Sequence, residues 1–249
     1  IDINSDRDFV ESYERDWSNI AGYADAVSRP IDAEQSATLL YLFSKKNIPI
    51  TISAGKTNLT GSATPKEGLV INTELMLSPK VEIDLNQKIA KVAVGDVLEN
   101  VRDEILYQSN NKLYYPVDPT SRKDARIGGT ISCNASGFIP GEKGATRFWV
   151  ESLSVVLLSG RLIYAKRGQY ISKNGIFLID GHVIPLPNYN RPKIKNASGP
   201  YTADTKEIDF VDLIIGSEGI FGMIVDCELR LDNLSTNHID LFIPLKSED

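Results

Sequence analysis

An apolar run followed by a small, polar loop constrains this chain more than any other feature. Residues 48–52 are typical of a β-strand, and residues 53–63 (Ser-Ala-Gly-Lys-Thr-Asn-Leu-Thr-Gly-Ser-Ala) follow them directly. Side chains this small let the loop backbone approach a ligand and point its N–H groups at it, as a phosphate group requires. The pattern therefore predicts an anion-binding loop at the end of a strand.

The bulk composition excludes several classes of protein. The chain has 249 residues, a net charge of −6 and 42% hydrophobic residues, enough for one large domain or two lobes. The negative charge disfavours binding to nucleic acid or anionic membranes. No apolar run is long enough to span a bilayer and no signal peptide is visible. A cytoplasmic location is expected, with membrane association through a partner or a missing segment as the alternative.

Cysteines and glycosylation sequons agree with that location. Cys133 and Cys227 form no CxxC motif and imply no disulfide framework, so both are expected to be packed thiols. Asn-x-Ser/Thr sequons at Asn58 and Asn134 fall in predicted ligand-binding loops, where a glycan would block the site. A glycosylating secretory route is therefore not expected.

Hydrophobic periodicity predicts a first α/β lobe at residues 26–110, after a helical lead-in at residues 1–25. Apolar stripes predict helices at residues 33–47 and 97–109. Short apolar runs predict strands at residues 48–52, 69–71, 81–85 and 89–94.

A second lobe is predicted at residues 111–235. Two β-type runs around Ser159-Gly160-Arg161 predict a hairpin at residues 153–164. A strand is predicted at residues 213–215, and a second at residues 223–231, where polar and apolar side chains alternate. Residues 165–209, rich in Gly, Pro, Asn and Lys, are predicted to form an irregular insertion.

Three further segments with small and polar residues follow the loop in order. They lie at residues 115–121 together with 127–137, at residues 144–150 and at residues 215–224. Each alone is more typical of a tight turn than of a ligand site, but together they indicate a site for a dinucleotide pyrophosphate, which amides and hydroxyls can surround. The spacing matches neither a Rossmann nicotinamide motif nor a P-loop, and no His, Cys or carboxylate cluster has zinc spacing, so no metal site is predicted.

On these residues the chain resembles the FAD-binding domain of the FAD-linked oxidases, the fold shared with vanillyl-alcohol oxidase and p-cresol methylhydroxylase. The resemblance covers residues 26–232 and is nearest to the glycolate oxidase and D-lactate dehydrogenase branch. Three motifs are specific to it: Pro-x-Asp-Pro at 116–119, Gly-Gly-x-x-x-x-Asn-x-x-Gly at 128–137, and Gly-Ser-Glu-Gly-x-x-Gly at 216–222. It implies an α+β fold of two lobes with FAD in the cleft between them.

The resemblance also implies which residues contact the cofactor. The positions that match the family are Ala54, Gly55, Lys56, Thr57, Asn58, Leu59, Gly61, Pro116, Asp118, Ser121, Gly128, Gly129, Ser132, Asn134, Ser136, Gly137, Thr146, Val150, Gly216, Glu218, Gly219, Gly222 and Ile224. The first seven would hold the pyrophosphate.

Two departures from the family bear on the site. Family members often carry an Arg and more Gly in the first loop, where this chain has Ser53, Ala54 and Lys56. Lys56 would either add a charge near the phosphates or face solvent. Members with covalent flavin use a His or Cys in these loops, but His182 and His238 lie outside the motifs, so non-covalent FAD is predicted.

The resemblance implies an FAD-dependent oxidoreductase that transfers a hydride from a 2-hydroxy acid, such as D-lactate or glycolate, to flavin N5. In this family a cap domain supplies most substrate-binding and catalytic residues, and residues 236–249 are expected to begin the linker to it. No catalytic residue is therefore predicted, and the substrate, electron acceptor and oligomeric state stay open. The alternatives are a stand-alone flavin-carrying electron-transfer subunit of a complex, or an interaction module without FAD.

Overall fold

The computed structural model describes residues 1–139, 142–186, 207–235 and 243–244. Its helices are α1 (Arg7–Glu11), α2 (Ala33–Lys45), α3 (Leu98–Gln108), α4 (Ile127–Ser132), α5 (Thr146–Trp149) and α6 (Phe210–Ile214), with 3-10 turns at Thr73–Leu75 and Glu142–Gly144. Its strands are β1 (Ile3–Asn4), β2 (Ala26–Ser28), β3 (Ile50–Ser53), β4 (Leu69–Asn72), β5 (Glu82–Asp84), β6 (Ile89–Val92), β7 (Leu113–Tyr114), β8 (Val150–Val156), β9 (Leu162–Lys166), β10 (Ile176–Ile179), β11 (His182–Pro185), β12 (Met223–Arg230) and β13 (Asp232–Asn233).

The first sheet is built around three parallel strands. Its order is β1-β2-β4-β3; β4 runs parallel to both of its neighbours, and β1 runs antiparallel to β2. Helix α2 connects β2 to β3, since parallel strands need a crossover. It starts at Asp32, whose carboxylate accepts the Gln35 N–H at 2.8 Å, and it buries Leu39 and Leu40. The predicted helix at residues 33–47 and the strands on either side of the loop are confirmed.

The second sheet is antiparallel and has the order β5-β6-β12-β8-β9. Its middle strand, β12, buries Cys227 and Leu229 and leaves Glu228 and Arg230 partly exposed, as the alternation predicts. The β8–β9 hairpin is confirmed as well. Strands β5 and β6 belong to this sheet, so the division between the sheets falls between β4 and β5, earlier than the predicted lobe boundary near residue 110.

Three predictions about local structure need correction. The predicted strand at 213–215 is wrong, because helix α6 occupies that stretch and begins at Asp209, whose carboxylate accepts the Val211 N–H at 3.0 Å. The predicted irregular insertion contains the antiparallel β10–β11 hairpin, and residues 187–206 lie outside the described part. Of the predicted helical lead-in, only α1 is a helix. The predicted linker lies outside the described residues except for 243–244.

One hydrophobic core joins the two sheets. Leu40 of α2, Ile71 of β4, Ile131 of α4 and Leu153 of β8 are fully buried in it. Helix α4 is buried at this junction. The loop after β3 contacts it near Gly129, and the turn that precedes β12 contacts it through the Gly216 N–H, which donates to the Ile131 carbonyl. No helix in the described residues is long and apolar enough to cross a membrane.

Candidate cofactor site

A cleft of about 250 Å³ lies where the loop after β3, helix α4 and the turn before β12 meet. The predicted site residues that line it are Ala54, Gly55, Lys56, Thr57, Asn58, Leu59, Ser121, Gly128, Gly129, Ser132, Glu218, Gly219 and Ile224. Those outside its lining are Gly61, Pro116, Asp118, Asn134, Ser136, Gly137, Thr146, Val150, Gly216 and Gly222. Three of the four predicted segments thus contribute to the cleft, each with only some of its residues. The segment of residues 144–150 lines none of it, although its Thr146 N–H donates to the carbonyl of the lining residue Ala135 at 3.0 Å.

The loop of residues 53–63 is held by two asparagine side chains. Asn58 Oδ1 accepts the N–H groups of Thr60 at 2.7 Å and Ser62 at 3.2 Å. Buried Asn72, on β4, donates from Nδ2 to the Ala54 carbonyl at 3.0 Å. With the loop fixed in this way, the backbone N–H groups of residues 55–59 donate to no acceptor within the described part of the chain. They form a row of free donors along the cleft wall.

Lys56 makes contacts that the sequence did not predict. Its backbone is left-handed, with a φ of 56°. Its ammonium group donates to the Ser12 carbonyl at 2.5 Å and lies 4.5 Å from the centroid of the Tyr13 ring. Burial lowers the pKa of Lys56, a shift that the charge of Glu74 opposes. The side chain therefore contacts the N-terminal segment and is not free in solvent, and a contribution of its charge to phosphate binding stays a prediction.

Small residues keep the cleft open between the loop and α4. A Cβ atom added to Gly129 would lie 3.1 Å from the Ala54 Cβ, so a side chain there would fill space on the cleft side. A Cβ atom on the preceding residue, Gly128, would instead lie 3.1 Å from the Val94 Cβ in the core. The two adjacent glycines thus serve different purposes, one toward the cleft and one toward the core.

Two lining residues that the sequence did not identify are polar and suit an anionic ligand. Thr73 is 3% exposed, and its Oγ1 has no hydrogen-bond partner within the described part of the chain. The Arg126 guanidinium donates to the Gly95 carbonyl and lies 3.9 Å from Glu74 Oε2. An orphaned hydroxyl, a guanidinium and a row of free N–H groups are the donor set that a dinucleotide pyrophosphate needs. The residues present therefore fit such a group.

The other lining residues that sequence reasoning missed follow from their neighbours. They are Ile52, Ser53, Ser62, Ala63, Ala125, Thr130, Cys133 and Ala135. Each adjoins or lies within a predicted segment, so a wider window around each motif would have included them. Arg126 follows from its neighbours in the same way, because it directly precedes the motif that contains Gly128 and Gly129. Thr73 carries no such signal, because it is near the loop only in three dimensions.

Several predicted residues of the second segment hold that segment together. The Asp118 carboxylate accepts from Arg102 at 2.7 Å and from Arg122 at 2.6 Å. Burial alone would raise the pKa of Asp118, but these two guanidinium groups hold it below its ordinary value. Gly137 packs so closely that an added Cβ would lie 2.2 Å from the Asp118 carbonyl carbon. Asn134, 6% exposed, accepts the Arg147 N–H at 2.9 Å.

The turn at residues 216–222 closes the end of α4. Gly216 and Glu218 have positive φ angles of 79° and 53°, and their N–H groups donate to the Ile131 and Ser132 carbonyls at 3.1 and 2.8 Å. Glu218 and Gly219 line the cleft. The turn therefore satisfies the last carbonyls of α4 and places an exposed carboxylate at the cleft wall.

Cys133 is a partly buried thiol in the cleft lining. Its sulfur accepts from Asn58 Nδ2 at 3.5 Å, and burial raises the pKa of the thiol, an effect that this hydrogen bond partly opposes. Cys227 is fully buried in β12, where burial also raises its pKa. His182 lies on β11 and does not line the cleft. The described residues contain no group of His, Cys, Asp and Glu that could hold a metal ion.

Comparison with known families identifies the region that holds most of this cleft. Residues 24–166, more than half of the chain, match the family described as "FAD binding domain".

Curated relatives extend the match over most of the chain. A D-2-hydroxyglutarate dehydrogenase of Xanthomonas citri pv. viticola is 30% identical over 224 residues, which are 89% of this chain and 40% of that protein. A D-lactate dehydrogenase of Archaeoglobus fulgidus is 29% identical over 206 residues, 82% of this chain and 38% of that protein. The chain thus spans about two fifths of the length of these relatives.

Solved structures share the fold. An alkyldihydroxyacetonephosphate synthase superposes with a TM-score of 0.70 over 94% of this chain and 38% of that one, at 16% sequence identity. At this identity the likeness establishes the architecture alone. It agrees with the α+β FAD-binding fold predicted from the sequence.

Proposed function

The chain belongs to the FAD binding domain family, with FAD as its cofactor, and we propose that it is the cofactor-binding part of a flavin-dependent dehydrogenase or oxidase of a 2-hydroxy acid. The row of free N–H groups at residues 55–59, opposite Gly129, is the observation that carries the proposal. The names of the relatives support the substrate class, of which D-lactate and glycolate are examples.

The residues divide the binding task by chemistry. The N–H groups of residues 55–59 and the hydroxyl of Thr73 would hold the pyrophosphate, and Arg126 would offset part of its charge. The apolar lining residues Ile52 and Ile224 would exclude water from the less polar part of the ligand. When bound, FAD supplies a two-electron acceptor for the hydride that leaves the substrate carbon.

Non-covalent attachment of FAD is part of this proposal. Cys133 is the only thiol among the described lining residues. Because burial raises its pKa, the nucleophilic thiolate is scarce at neutral pH, and its sulfur already accepts a hydrogen bond from Asn58. The environment of Cys133 therefore favours an unreacted thiol beside the cofactor.

A cytoplasmic location is likewise proposed. Cys133 and Cys227 are free thiols, which suits a reducing compartment. The sequon at Asn134 is 6% exposed, so its side chain is inaccessible to a glycosylating enzyme in the folded protein. Substrate-binding residues are expected from a cap domain or a partner subunit, which is consistent with the greater length of the relatives.

The cofactor assignment is tested first by the absorption spectrum of the purified chain, before and after acid precipitation. We expect a flavin band that moves to the supernatant, in the chain itself and in a Cys133→Ser variant. A band that stays in the pellet of the unmodified chain but not of the variant would contradict non-covalent binding. A colourless protein that takes up no added FAD would favour the interaction-module alternative.

The substrate class is tested by anaerobic reduction of the flavin in the natural gene product. D-lactate, glycolate and D-2-hydroxyglutarate are added separately, with L-lactate as the stereochemical control. We expect bleaching of the flavin band with at least one of the first three and markedly slower bleaching with the control. If dithionite reduces the flavin and none of the hydroxy acids does, the result would favour the electron-transfer subunit.

A further inference from the structure

The N-terminal segment, defined here as residues 7–23, packs against the outer side of the loop of residues 53–63. It precedes the region that matches the family, which begins at residue 24. The segment contacts Lys56 twice: the Ser12 carbonyl accepts from the Lys56 ammonium at 2.5 Å, and the Trp17 N–H donates to the Lys56 carbonyl at 3.1 Å. The ammonium and the backbone carbonyl of Lys56, a residue with a left-handed backbone, are therefore both held by residues outside the loop.

Asp16 provides a second attachment at the far end of the loop. It is 5% exposed, and its Oδ2 accepts the Ala63 N–H at 3.3 Å. Its Oδ1 accepts the Ser18 N–H at 2.9 Å, which fixes the carboxylate within the segment. Ala63 lines the cleft. The segment thus holds the loop both at its middle and at its end.

Tyr13 links the same segment to the residues that follow β4. Its ring lies under the Lys56 ammonium, and its hydroxyl donates to Glu74 Oε1 at 2.6 Å. Glu74 also accepts from Arg29 at 3.1 Å and lies near Arg126, which lines the cleft. Burial, together with the hydrogen bond to Glu74, raises the pKa of Tyr13 to about 12, so the phenol remains a donor at ordinary pH.

We propose that the N-terminal segment is a positioning element for the pyrophosphate-binding loop. By holding Lys56 and Ala63 from outside, it keeps the N–H groups of residues 55–59 free of internal partners and available to the ligand. Lys56 then contributes to FAD affinity through the shape of the loop and not through its charge. This inference rests on the proposed function, because the ligand of the loop is taken to be FAD.

The test uses Asp16→Asn and Lys56→Met in the full chain, each with a matched control. Asp32→Asn removes a carboxylate that caps α2, and Lys45→Met removes a lysine that lies 5.1 Å from the Tyr41 ring centroid. We expect each test variant to raise the Kd for FAD roughly tenfold, and each control to change it by less than about twofold. Test variants that bind FAD like their controls would overturn the inference.

Salt dependence separates positioning from direct contact with the phosphates. If Lys56 acts by positioning, Kd for FAD rises with ionic strength equally steeply in the Lys56→Met variant and in the unmodified chain. A flatter dependence in the variant would show that the ammonium pairs with the phosphates, and would overturn the inference.

Hydrogen–deuterium exchange without cofactor makes the inference testable apart from the proposed function. In the peptide that covers residues 54–63, we expect the hydrogen-bonded amides of Thr60, Ser62 and Ala63 to exchange faster in both test variants than in their controls. Unchanged exchange would overturn the positioning role. A chain that binds neither FAD nor ADP would instead contradict the proposed function, and the exchange result would still decide whether the segment orders the loop.

Discussion

The loop of residues 53–63 and the segment of residues 116–137 are both rich in small polar residues, yet they use their hydrogen-bonding groups in opposite ways. In the loop, side chains from outside and from Asn58 fix the backbone, and the N–H groups of residues 55–59 stay free. In the segment, Asp118 and Asn134 are bonded within the protein. The same kind of composition therefore marks a binding surface in the loop and, at Asp118 and Asn134, a structural brace.

The brace at Asp118 is tested by the Asp118→Asn variant. We expect a loss of about 2 kcal/mol in the free energy of unfolding, because two partly buried guanidinium groups lose a shared carboxylate. Urea unfolding without FAD measures it. Asp180→Asn is the matched control: its carboxylate pairs with Arg161 but is 64% exposed, so we expect a change of less than about 0.5 kcal/mol. A loss of FAD affinity at unchanged stability would place Asp118 in the binding surface instead.

The adjacent glycines of α4 separate ligand binding from stability within a single helix. We expect Gly129→Ala to raise the Kd for FAD roughly tenfold with little change in stability, because its methyl group would project toward Ala54 across the cleft. Gly128→Ala should do the reverse, since its methyl group would press on Val94 and lower the free energy of unfolding by about 1 kcal/mol. Fluorescence titration measures the Kd for FAD, and urea unfolding measures the free energy of unfolding, in both variants. If the two variants change each quantity equally, the two glycines do not have different roles.

Asp118 also contributes a small pH dependence to the stability of the chain. The pKa of Asp118 is lower in the folded chain than its ordinary value. Its contribution is therefore fully present above the unfolded-state pKa of about 3.9 and is lost as the pH falls through the folded-state pKa. Unfolding curves between about pH 5 and pH 3 should drop less steeply, by about 1 kcal/mol over that range, in Asp118→Asn than in the unmodified chain. If stability falls equally steeply with pH in the variant and in the unmodified chain, Asp118 does not contribute to the pH dependence.

The fold was predictable where local signals agree. Helix α2 carries both an apolar stripe and a capping aspartate, and the β8–β9 hairpin has strong strand formers on either side of a glycine turn. The apolar run at 213–215 was misassigned because a short apolar run suits a strand or a buried helix equally well. The capping carboxylate of Asp209 was the available signal for α6.

Only those parts of the site that depend on neighbouring residues in the sequence were predictable. The motifs predicted the loop and the glycines of α4, because backbone approach depends on local residue size. Thr73 could not be found in this way, since the pairing of β3 with β4 brings it to the cleft. Arg126 could have been found, because it directly precedes the predicted glycine motif of α4. The clamping of Lys56 by the N-terminal segment depends on the same kind of long-range contact.

The position of β12 has a consequence for how the chain reaches this structure. This strand lies between β6 and β8, although it follows both of them in sequence by many residues. During synthesis, β6 and β8 are complete well before residues 223–230 leave the ribosome, and each has an unpaired edge until then. Pairings this distant in sequence close slowly, and open strand edges recruit other chains. One wall of the cleft is the turn at residues 216–222, which leads directly into β12. The cleft is therefore expected to be among the last parts of the molecule to form.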